Sequence, residues 1–217
     1  LLGGQGAPLV PIGDLLLFPD YNACLNLGGF ANCSMSKSGD VIAYDICAVN
    51  TVMNSLAEKK GMPFDTAGKL AKNGTLIPEL FSDLSSLEFY KITSPKSLGI
   101  EWVNSIISPL LTKFNDHKVE NILHTYARHV SLEISKNFSK NQHILVTGGG
   151  AKNLFLMSLL KTDCLATLFL PEEKLIDFKE ALIFGFLGVL RVRNEVNCLA
   201  TVTGASENHS SGNIFYS

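Results

Sequence analysis

The stretch that decides the fold is "VTGGGAKN", Val146 to Asn153. It continues a short β-like run that begins at His143, and it precedes an apolar segment, "LFLMSLL", typical of a helix. A β-like run, a glycine-rich turn and a helix-like run in this order predict a strand–turn–helix unit. Such a turn lets a flat or anionic ligand approach the backbone, but tight packing alone also uses it. By itself the motif leaves ligand binding and mere turn geometry equally open.

A second glycine turn, "NLGGF" from Asn26 to Phe30, strengthens the case for binding. It separates two β-like runs, Ala23–Leu27 and Phe30–Met35. A Gly-Gly pair between such runs predicts a hairpin whose tight turn needs positive φ. After a further turn at residues 38–40, a third run from Val41 to Ile46 completes an antiparallel three-strand meander. Successive backbone N–H groups at a glycine tip can cradle a phosphate, so two such turns could hold the two ends of a nucleotide.

The rest of the chain follows helical periods with one more strand. The spacing of apolar residues and the Gly, Pro and Asp positions predict these segments: a helix from Val49 that stops at Gly61, a helix from about Pro78, a loop over 93–99, a helix from Asp116 as N-cap to about Phe138, a helix over Asn153–Lys161, a strand over Ala166–Leu170 and a helix over Asp177–Arg193. The last helix is apolar nearly all round and too short for a membrane span, which predicts a buried helix. The order predicts an α/β fold with a mixed sheet, in which the meander is followed by β-α-β-α.

Composition narrows the possible partners. The 217 residues carry 18 basic and 20 acidic side chains, a net charge of −2, so neither nucleic acid nor a membrane is an expected partner. The odd number of cysteines, five, contains no C-x-x-C pair, which favours a reducing, cytoplasmic location. The histidines show no metal-ligand spacing, and no protein metal ligand is assigned. No signal peptide is visible at the start of the chain.

Five blocks in order carry a resemblance to a known family. They are "GGQGAPLVP" (3–11), "LNLGGFAN" (25–32), "VTGGGAKN" (146–153), "FKEALIFGFLG" (178–188) and "VTGAS" (202–206). This set resembles the anhydro-N-acetylmuramic acid kinases, bacterial enzymes of peptidoglycan recycling. The similarity extends from the first residues to nearly the last.

The resemblance implies an actin-like ATPase fold of the ribonuclease H-like type, with the active site in a cleft between two domains. It implies a homodimeric, cytoplasmic kinase that uses ATP and Mg²⁺. The family opens 1,6-anhydro-N-acetylmuramic acid with water and phosphorylates its 6-hydroxyl, which yields N-acetylmuramic acid 6-phosphate.

Site residues follow from the same match. The resemblance places the ATP phosphates near Asn26, Gly28, Gly29 and Asn32, and the adenosine near Gly148, Gly149, Gly150 and Asn153. Gln5 and Gly6 fall in the block beside the sugar. Glu180 matches an acidic position that faces the sugar or the catalytic water. Helix capping remains the alternative role for Asn153, and an ordinary surface charge the alternative for Glu180.

Departures from the family pattern leave two alternatives open. The family's Gly-Thr-Ser-x-Asp-Gly loop is not found, and its catalytic aspartate precedes the "GGQGAP" block, so it would lie upstream of Leu1. We therefore expect residues 1–22 to be the tail of a first domain, and 23–217 a second domain with a helical insertion over about 49–138. Such a fragment is expected to be inactive alone.

The family's "DTGPGN" block appears here as "DICAVN", Asp45 to Asn50. The lost glycines keep open a kinase for another amino sugar, or a degenerate member that binds a nucleotide without catalysis.

Overall fold

The computed structural model describes residues 2–37, 39–93 and 95–215. The strands in these ranges are β1 (Ala23–Leu27), β2 (Phe30–Lys37), β3 (Asp40–Ala48), β4 (His143–Thr147) and β5 (Thr167–Phe169). The α-helices are α1 (Val10–Leu17), α2 (Asn50–Glu58), α3 (Lys69–Lys72), α4 (Pro78–Ser85), α5 (Ile100–Trp102), α6 (Ser108–Thr112), α7 (Val119–Ser135), α8 (Leu154–Asp163), α9 (Glu173–Val192) and α10 (Ala200–Thr203). A π-helical turn, Val103–Ile107, joins α5 to α6, and 3₁₀ turns lie at Thr66–Gly68, Glu88–Lys91 and Gly149–Lys152.

The strands form one mixed sheet in the order β3-β2-β1-β4-β5. β1, β2 and β3 pair antiparallel as a meander, whereas β4 pairs parallel with β1 and β5 parallel with β4. The predicted α/β class, the meander and the β-α-β-α order that follows it are thereby confirmed. Of the predicted turn at 38–40, Ser38 lies outside the described residues, as does Ser94 of the predicted loop at 93–99.

One face of the sheet carries the main core. Leu25, Leu27, Ile144 and Val146 on the central strands are fully buried within the same apolar cluster as side chains of α2, α7 and α8. Burial of each such side chain contributes about 1.5–3 kcal/mol. The hydroxyl of Tyr126, on α7, donates a hydrogen bond of 2.9 Å to the carbonyl oxygen of Ala48, which ties the helical region to the end of β3.

The opposite face is covered by α1 and α9. Ile12 on α1 packs with Ile183, Leu187 and Leu190 on α9. A buried ion pair of 2.7 Å joins Lys179 Nζ to Asp14 Oδ1 beneath them, and the hydroxyl of Ser34 on β2 donates to Asp14 Oδ2 at 2.6 Å. Separating the pair would leave a charge buried without a partner and would destabilise the fold. The cluster therefore fixes α1 and α9 on the sheet. The predicted domain boundary at residue 22 stays a prediction.

The predicted N-cap of the long helix is wrong. α7 begins at Val119, with Lys118 as its N-cap, and not at Asp116. Residues 114–117 form a separate turn in which His117 N donates to Phe114 O at 3.0 Å. The first amides of the helix, those of Asn121 and Ile122, bond to Lys118 O, so the helical hydrogen-bond pattern starts only there.

The predicted nature of the last helix is also wrong. α9 starts at Glu173, four residues before Asp177, and only one face of it is buried. Phe178 is 61% exposed and Val192 73% exposed. An apolar composition all round the helix therefore does not mean burial within this chain. In the described part of the chain, no helix combines the length and apolarity that a membrane crossing requires.

Candidate functional site

The two glycine turns meet at one end of the sheet. β1 and β4 are parallel neighbours with Asn26 opposite Thr147, so both strands end at the same edge. The hairpin tip leaves β1 there, and the turn Gly148–Gly150 leaves β4. This edge is the place where open α/β sheets bind ligands, because parallel strands deliver their carboxyl ends to it. The sequence analysis suggested that the two turns could hold one nucleotide, which requires them to lie close together as they do here.

Packing against β1 explains two of the three glycines after β4. Gly148 has φ +85°, and a Cβ on it would lie 2.5 Å from Asn26 Oδ1 and 2.8 Å from the carbonyl of Leu27. A Cβ on Gly150 would lie 2.8 Å from Leu27 Cβ. Real Cβ atoms do not approach other atoms so closely, so both positions exclude any larger residue for reasons internal to the fold.

Gly149 is different. Its φ lies outside the left-handed region, and the nearest atom to a Cβ placed on it would be Asn50 Nδ2 at 3.8 Å, an ordinary contact distance. The residue is exposed. Nothing in the described fold requires glycine here, so an open backbone surface remains that a ligand can approach.

The hairpin tip is held by the start of α2. The carbonyl oxygen of Gly29 accepts hydrogen bonds from Val49 N at 2.8 Å and Thr51 N at 3.2 Å, and that of Gly28 accepts from Asn50 N at 3.3 Å. The prediction of positive φ at this Gly-Gly pair is wrong, since neither residue is left-handed. Glycine at 29 instead reflects close packing, because a Cβ there would lie 2.7 Å from Thr51 Oγ1.

A row of polar side chains crosses the sheet beside the tip. Asn26 on β1 is paired with Asn32 on β2, which is paired in turn with Asp45 on β3. All three are half-buried. Burial raises the pKa of the Asp45 carboxyl above its ordinary value, opposed by the hydrogen bond of 2.7 Å that it accepts from Leu98 N. The row gives this edge of the sheet amide and carboxylate groups that can orient a polar ligand.

Asn50 is a site residue that the sequence analysis did not assign. Its Nδ2 donates to Leu27 O at 3.2 Å, and its Oδ1 lies 3.5 Å from the position of a Cβ on Gly150. With its backbone bond to Gly28, Asn50 contacts both glycine turns. The available signal was that "DICAVN" keeps Asn50 at the end of an otherwise altered block.

Asn153 serves as a helix cap. The 3₁₀ turn Gly149–Lys152 separates the glycines from α8, and Asn153 Oδ1 accepts from Leu156 N at 3.0 Å. A Cβ on Gly68 would collide with the same oxygen, so the Asn153 side chain is enclosed by the helical region. The capping role is observed, and its role toward adenosine stays a prediction.

The residues predicted to bind the sugar lie outside the two glycine turns. Gln5 N donates to Thr203 O at 2.9 Å, and Ser206 N donates to Leu2 O at 2.9 Å, so the "GGQGAP" and "VTGAS" blocks run side by side. Gln5 and Gly6 are exposed, as is Glu180 on α9. Among the described residues, no hydrogen bond or ion pair joins Glu180 to Gln5 or Gly6.

Beneath Glu180, the ion pair of Lys179 with Asp14 anchors that part of α9. Cys24 lies next to this pair. Burial, followed by the charge of Asp14, raises the pKa of its thiol to about 12, so this cysteine stays protonated. The cluster therefore positions α9 and offers no reactive thiol.

The altered "DICAVN" block lies in the core. The four residues that replace the family's Thr-Gly-Pro-Gly, residues 46–49, are each at most 2% exposed. They pack with the central strands inside the main cluster. The change of sequence therefore lies mainly in the packing behind the site, and the backbone amide of Val49 also donates to the carbonyl oxygen of Gly29 at the hairpin tip. Within the described ranges, no group of three or more His, Cys, Asp or Glu side chains could hold a metal ion.

Comparison with known proteins now decides the family. The family model for anhydro-N-acetylmuramic acid kinase matches residues 1–217, the entire chain. The chain belongs to this family. Similar curated kinases of that name come from Actinobacillus pleuropneumoniae serotype 5b, 36% identical over 231 residues, and from Vibrio cholerae, 32% identical over 230 residues. A third, from Bacillus cereus strain ZK, is 29% identical over 235 residues.

In each of these alignments 99% of this chain is covered and 62% of the relative, so the chain spans about three fifths of their length.

A solved structure supports the fold assignment. The activator of the 2-hydroxyisocaproyl-CoA dehydratase from Clostridium difficile, determined with bound ADPNP, matches with a TM-score of 0.50 at 15% identity. The match covers 83% of this chain and 65% of the activator. Together with the strand order, this confirms the predicted actin-like ATPase architecture.

Proposed function

We propose that the protein to which this chain belongs is an ATP-dependent kinase that acts on 1,6-anhydro-N-acetylmuramic acid. The observation that carries the proposal is Gly149, a glycine that the fold does not need, at the edge of the sheet where two glycine turns meet. Family membership over the whole chain supports the reaction type and the sugar. An open backbone beside Asn50 suits the flat adenosine portion of a nucleotide.

We assign the other nucleotide-binding roles from the positions of the residues at the two glycine turns. Asn26 and Asn32, half-buried beside the hairpin tip of Gly28 and Gly29, orient the phosphates through their side-chain amides. Gly148 and Gly150 fix the turn against β1 and so hold Gly149 in position. Asn153 acts on the same turn by capping the helix that follows it.

The chemistry requires a linked series of bond changes. A water molecule loses a proton to a carboxylate, and its oxygen attacks the anomeric carbon of the sugar. The bond between that carbon and the bridging oxygen breaks, and the released 6-oxygen attacks the γ-phosphorus of ATP. ADP leaves, and the product is N-acetylmuramic acid 6-phosphate. Mg²⁺ bound with the nucleotide would neutralise phosphate charge, as in other phosphoryl transfers.

On the sugar side we assign Gln5, Gly6 and Glu180. Glu180 is an exposed carboxylate on a helix that the buried Lys179–Asp14 pair holds rigidly, so it can face a sugar or the attacking water. The main catalytic aspartate, as the resemblance implies, precedes Leu1. This division of labour is consistent with a chain that spans three fifths of the length of its relatives, and we expect the chain to be inactive by itself.

The match of the family model to the whole chain, this block included, favours the family's own substrate over another amino sugar. The side chains of residues 46–49, where the sequence differs from "DTGPGN", are packed in the core, and the backbone of Val49 supports the hairpin tip. We also propose a reducing, cytoplasmic location, which the five unpaired, buried cysteines support.

The test uses the full-length protein with ATP, Mg²⁺ and 1,6-anhydro-N-acetylmuramic acid, and detects the sugar product by mass. A product heavier by one phosphoryl group and one water supports the proposal. A phosphorylated product that keeps the anhydro ring, or no sugar product in the presence of bound ATP, contradicts it. A matched reaction with N-acetylglucosamine tests the alternative of another amino sugar.

A further inference from the structure

Asp14 joins three elements of the fold through one buried carboxylate. Its Oδ1 accepts a hydrogen bond of 2.7 Å from Lys179 Nζ on α9, and its Oδ2 accepts one of 2.6 Å from the hydroxyl of Ser34 on β2. The side chains of Asp14 and Lys179 are 8% and 6% exposed. Each carboxylate oxygen therefore holds a different element against α1, a helix on one side and a strand on the other.

Both partners of Asp14 lie close in sequence to residues that we assign to the site. Glu180 directly follows Lys179 on α9 and is exposed, whereas Lys179 is buried. Asn32 lies two residues before Ser34 on β2, and side chains two residues apart in a strand lie on the same face of the sheet. The Asp14 carboxylate is thus the shared contact behind Glu180, assigned to the sugar or the attacking water, and Asn32, assigned to the phosphates.

The remaining contact between α1 and α9 is apolar. Ile12 packs with Ile183, Leu187 and Leu190, and a Cβ on Gly13 would collide with the Ile183 side chain, so the two helices lie close together. The hydrophobic effect is non-directional, so this contact alone does not specify one position of α9 along α1. A buried, hydrogen-bonded ion pair is directional, and separating it would leave a charge buried without a partner.

We propose that Asp14 is a positioning residue of the kinase: its two hydrogen bonds hold Glu180 and Asn32 in a fixed relation to each other. This proposal rests on the proposed function, which assigns the roles of those two residues. Asp14 itself does not touch a substrate, because its carboxylate is buried and both of its oxygens are engaged. Catalysis is sensitive to such geometry, since a displacement of about 1 Å can cost roughly a hundredfold in rate.

The test has to remove the polar cluster without leaving a charge buried alone. Lys179→Met by itself would deprive the Asp14 carboxylate of its cation and destabilise the fold. The triple variant Asp14→Val, Ser34→Ala and Lys179→Met replaces all three polar side chains with apolar ones, a change that is often neutral or stabilising for buried ion pairs. Thermal unfolding of the full-length protein should therefore give an unchanged or higher Tm for this variant.

Steady-state kinetics of the full-length protein with ATP, Mg²⁺ and 1,6-anhydro-N-acetylmuramic acid then separate positioning from stability. We expect kcat of the triple variant to fall at least roughly tenfold. The KM for ATP should change by less than about twofold, because α2 and β1, and not Asp14, hold the two glycine turns. Ser34→Ala alone removes one of the two hydrogen bonds and should lower kcat by roughly threefold.

Ser131→Ala is the matched control for Ser34→Ala. The hydroxyl of Ser131 also donates to a carboxylate, that of Asp163, at 2.7 Å, but this bond joins α7 to α8. The control removes a hydrogen bond of the same kind between elements that carry neither Glu180 nor Asn32, so its kcat should stay within about twofold of the wild type.

A triple variant with wild-type kcat would overturn the proposal and leave Asp14 with a role in packing alone. Equal losses of kcat in Ser34→Ala and Ser131→Ala would also overturn it, and this comparison stands even if the triple variant does not fold. A wild type that makes no product from the anhydro sugar would instead overturn the proposed function and, with it, the assignments on which this proposal rests.

Discussion

The glycine turn after β4 and the glycine tip of the β1–β2 hairpin lie at the same edge of the sheet, yet different neighbours explain their glycines. Both glycines of the tip are engaged by the start of α2 through their carbonyl oxygens. In the turn after β4, Gly148 and Gly150 pack against β1, whereas a Cβ on Gly149 would have its nearest neighbour, Asn50 Nδ2, at an ordinary contact distance of 3.8 Å. A glycine run thus contains positions where the fold requires glycine and a position where it does not, and only the surroundings of each Cβ distinguish them.

The largest effect that this comparison predicts is at Gly148. Gly148→Ala must adopt φ +85° and push a methyl group against Asn26 and the Leu27 carbonyl. We expect a loss of about 3 kcal/mol or more in the free energy of unfolding, from backbone strain and overpacking together. Gly149→Ala is the matched control and should be neutral or stabilising by up to about 1 kcal/mol. Urea denaturation measures both, and equal losses would show that the two glycines are not distinct.

Ligand binding at the turns has to be measured at a pH where the protein is stable. We expect His129 on α7 to make the free energy of unfolding depend on pH. It is fully buried among Phe81, Tyr90 and Tyr126, and neither ring nitrogen has a hydrogen-bond partner among the described residues. Burial, with a smaller contribution from the charge of Lys136, lowers its pKa from 6.5 to about 3.

Because the folded-state pKa of His129 lies below the unfolded one, the unfolded state binds the additional proton, and stability falls as pH drops below 6.5. Between pH 6.5 and 5 we expect a loss on the order of 2 kcal/mol in the free energy of unfolding. His129→Leu should remove that slope in urea denaturation. If wild type and variant share the same pH dependence, the buried neutral histidine is not its source.

A smaller effect tests the other half of the comparison. Gly29→Ala should cost about 1 kcal/mol of unfolding free energy, because its methyl group meets Thr51 Oγ1. Thr51→Ala removes that oxygen. Gly29→Ala should therefore cost much less unfolding free energy in the Thr51→Ala background than in the wild type. Additive effects in this double-mutant cycle would contradict the packing explanation for Gly29.

Local patterns were enough to predict much of the fold. β1 and β4 match their predicted bounds, and Pro78 begins α4 as expected, because alternation, glycine turns and proline act within a few residues. Asp116 failed as a cap because the turn over 114–117 competes for the chain before α7 begins. Local sequence does not show which of two adjacent hydrogen-bonding arrangements is the more stable, here the turn over 114–117 or a helix that begins at Asp116.

The site was predicted in part for a related reason. The meeting of the two glycine turns follows from the strand order, in which β4 lies beside β1, whereas the sequence predicted only that two such turns could hold one nucleotide. Asn50 was not assigned, because its contacts with Leu27 and Gly150 join residues far apart in the sequence. The exposed face of α9 could not be foreseen either, since an apolar sequence looks the same whether or not the rest of this chain covers it.

The most direct test of the central claim is nucleotide binding by this chain and two variants of Gly149. Titration with a fluorescent ATP analogue would be followed for wild type, Gly149→Ala and Gly149→Val, and thermal unfolding would confirm that all three are folded. We predict binding by the wild type, weaker binding by the alanine variant, and at least a tenfold loss by the valine variant, at unchanged stability. Equal affinity in all three chains, or a wild type that binds no nucleotide at millimolar concentration, would contradict the claim that Gly149 lies against adenosine.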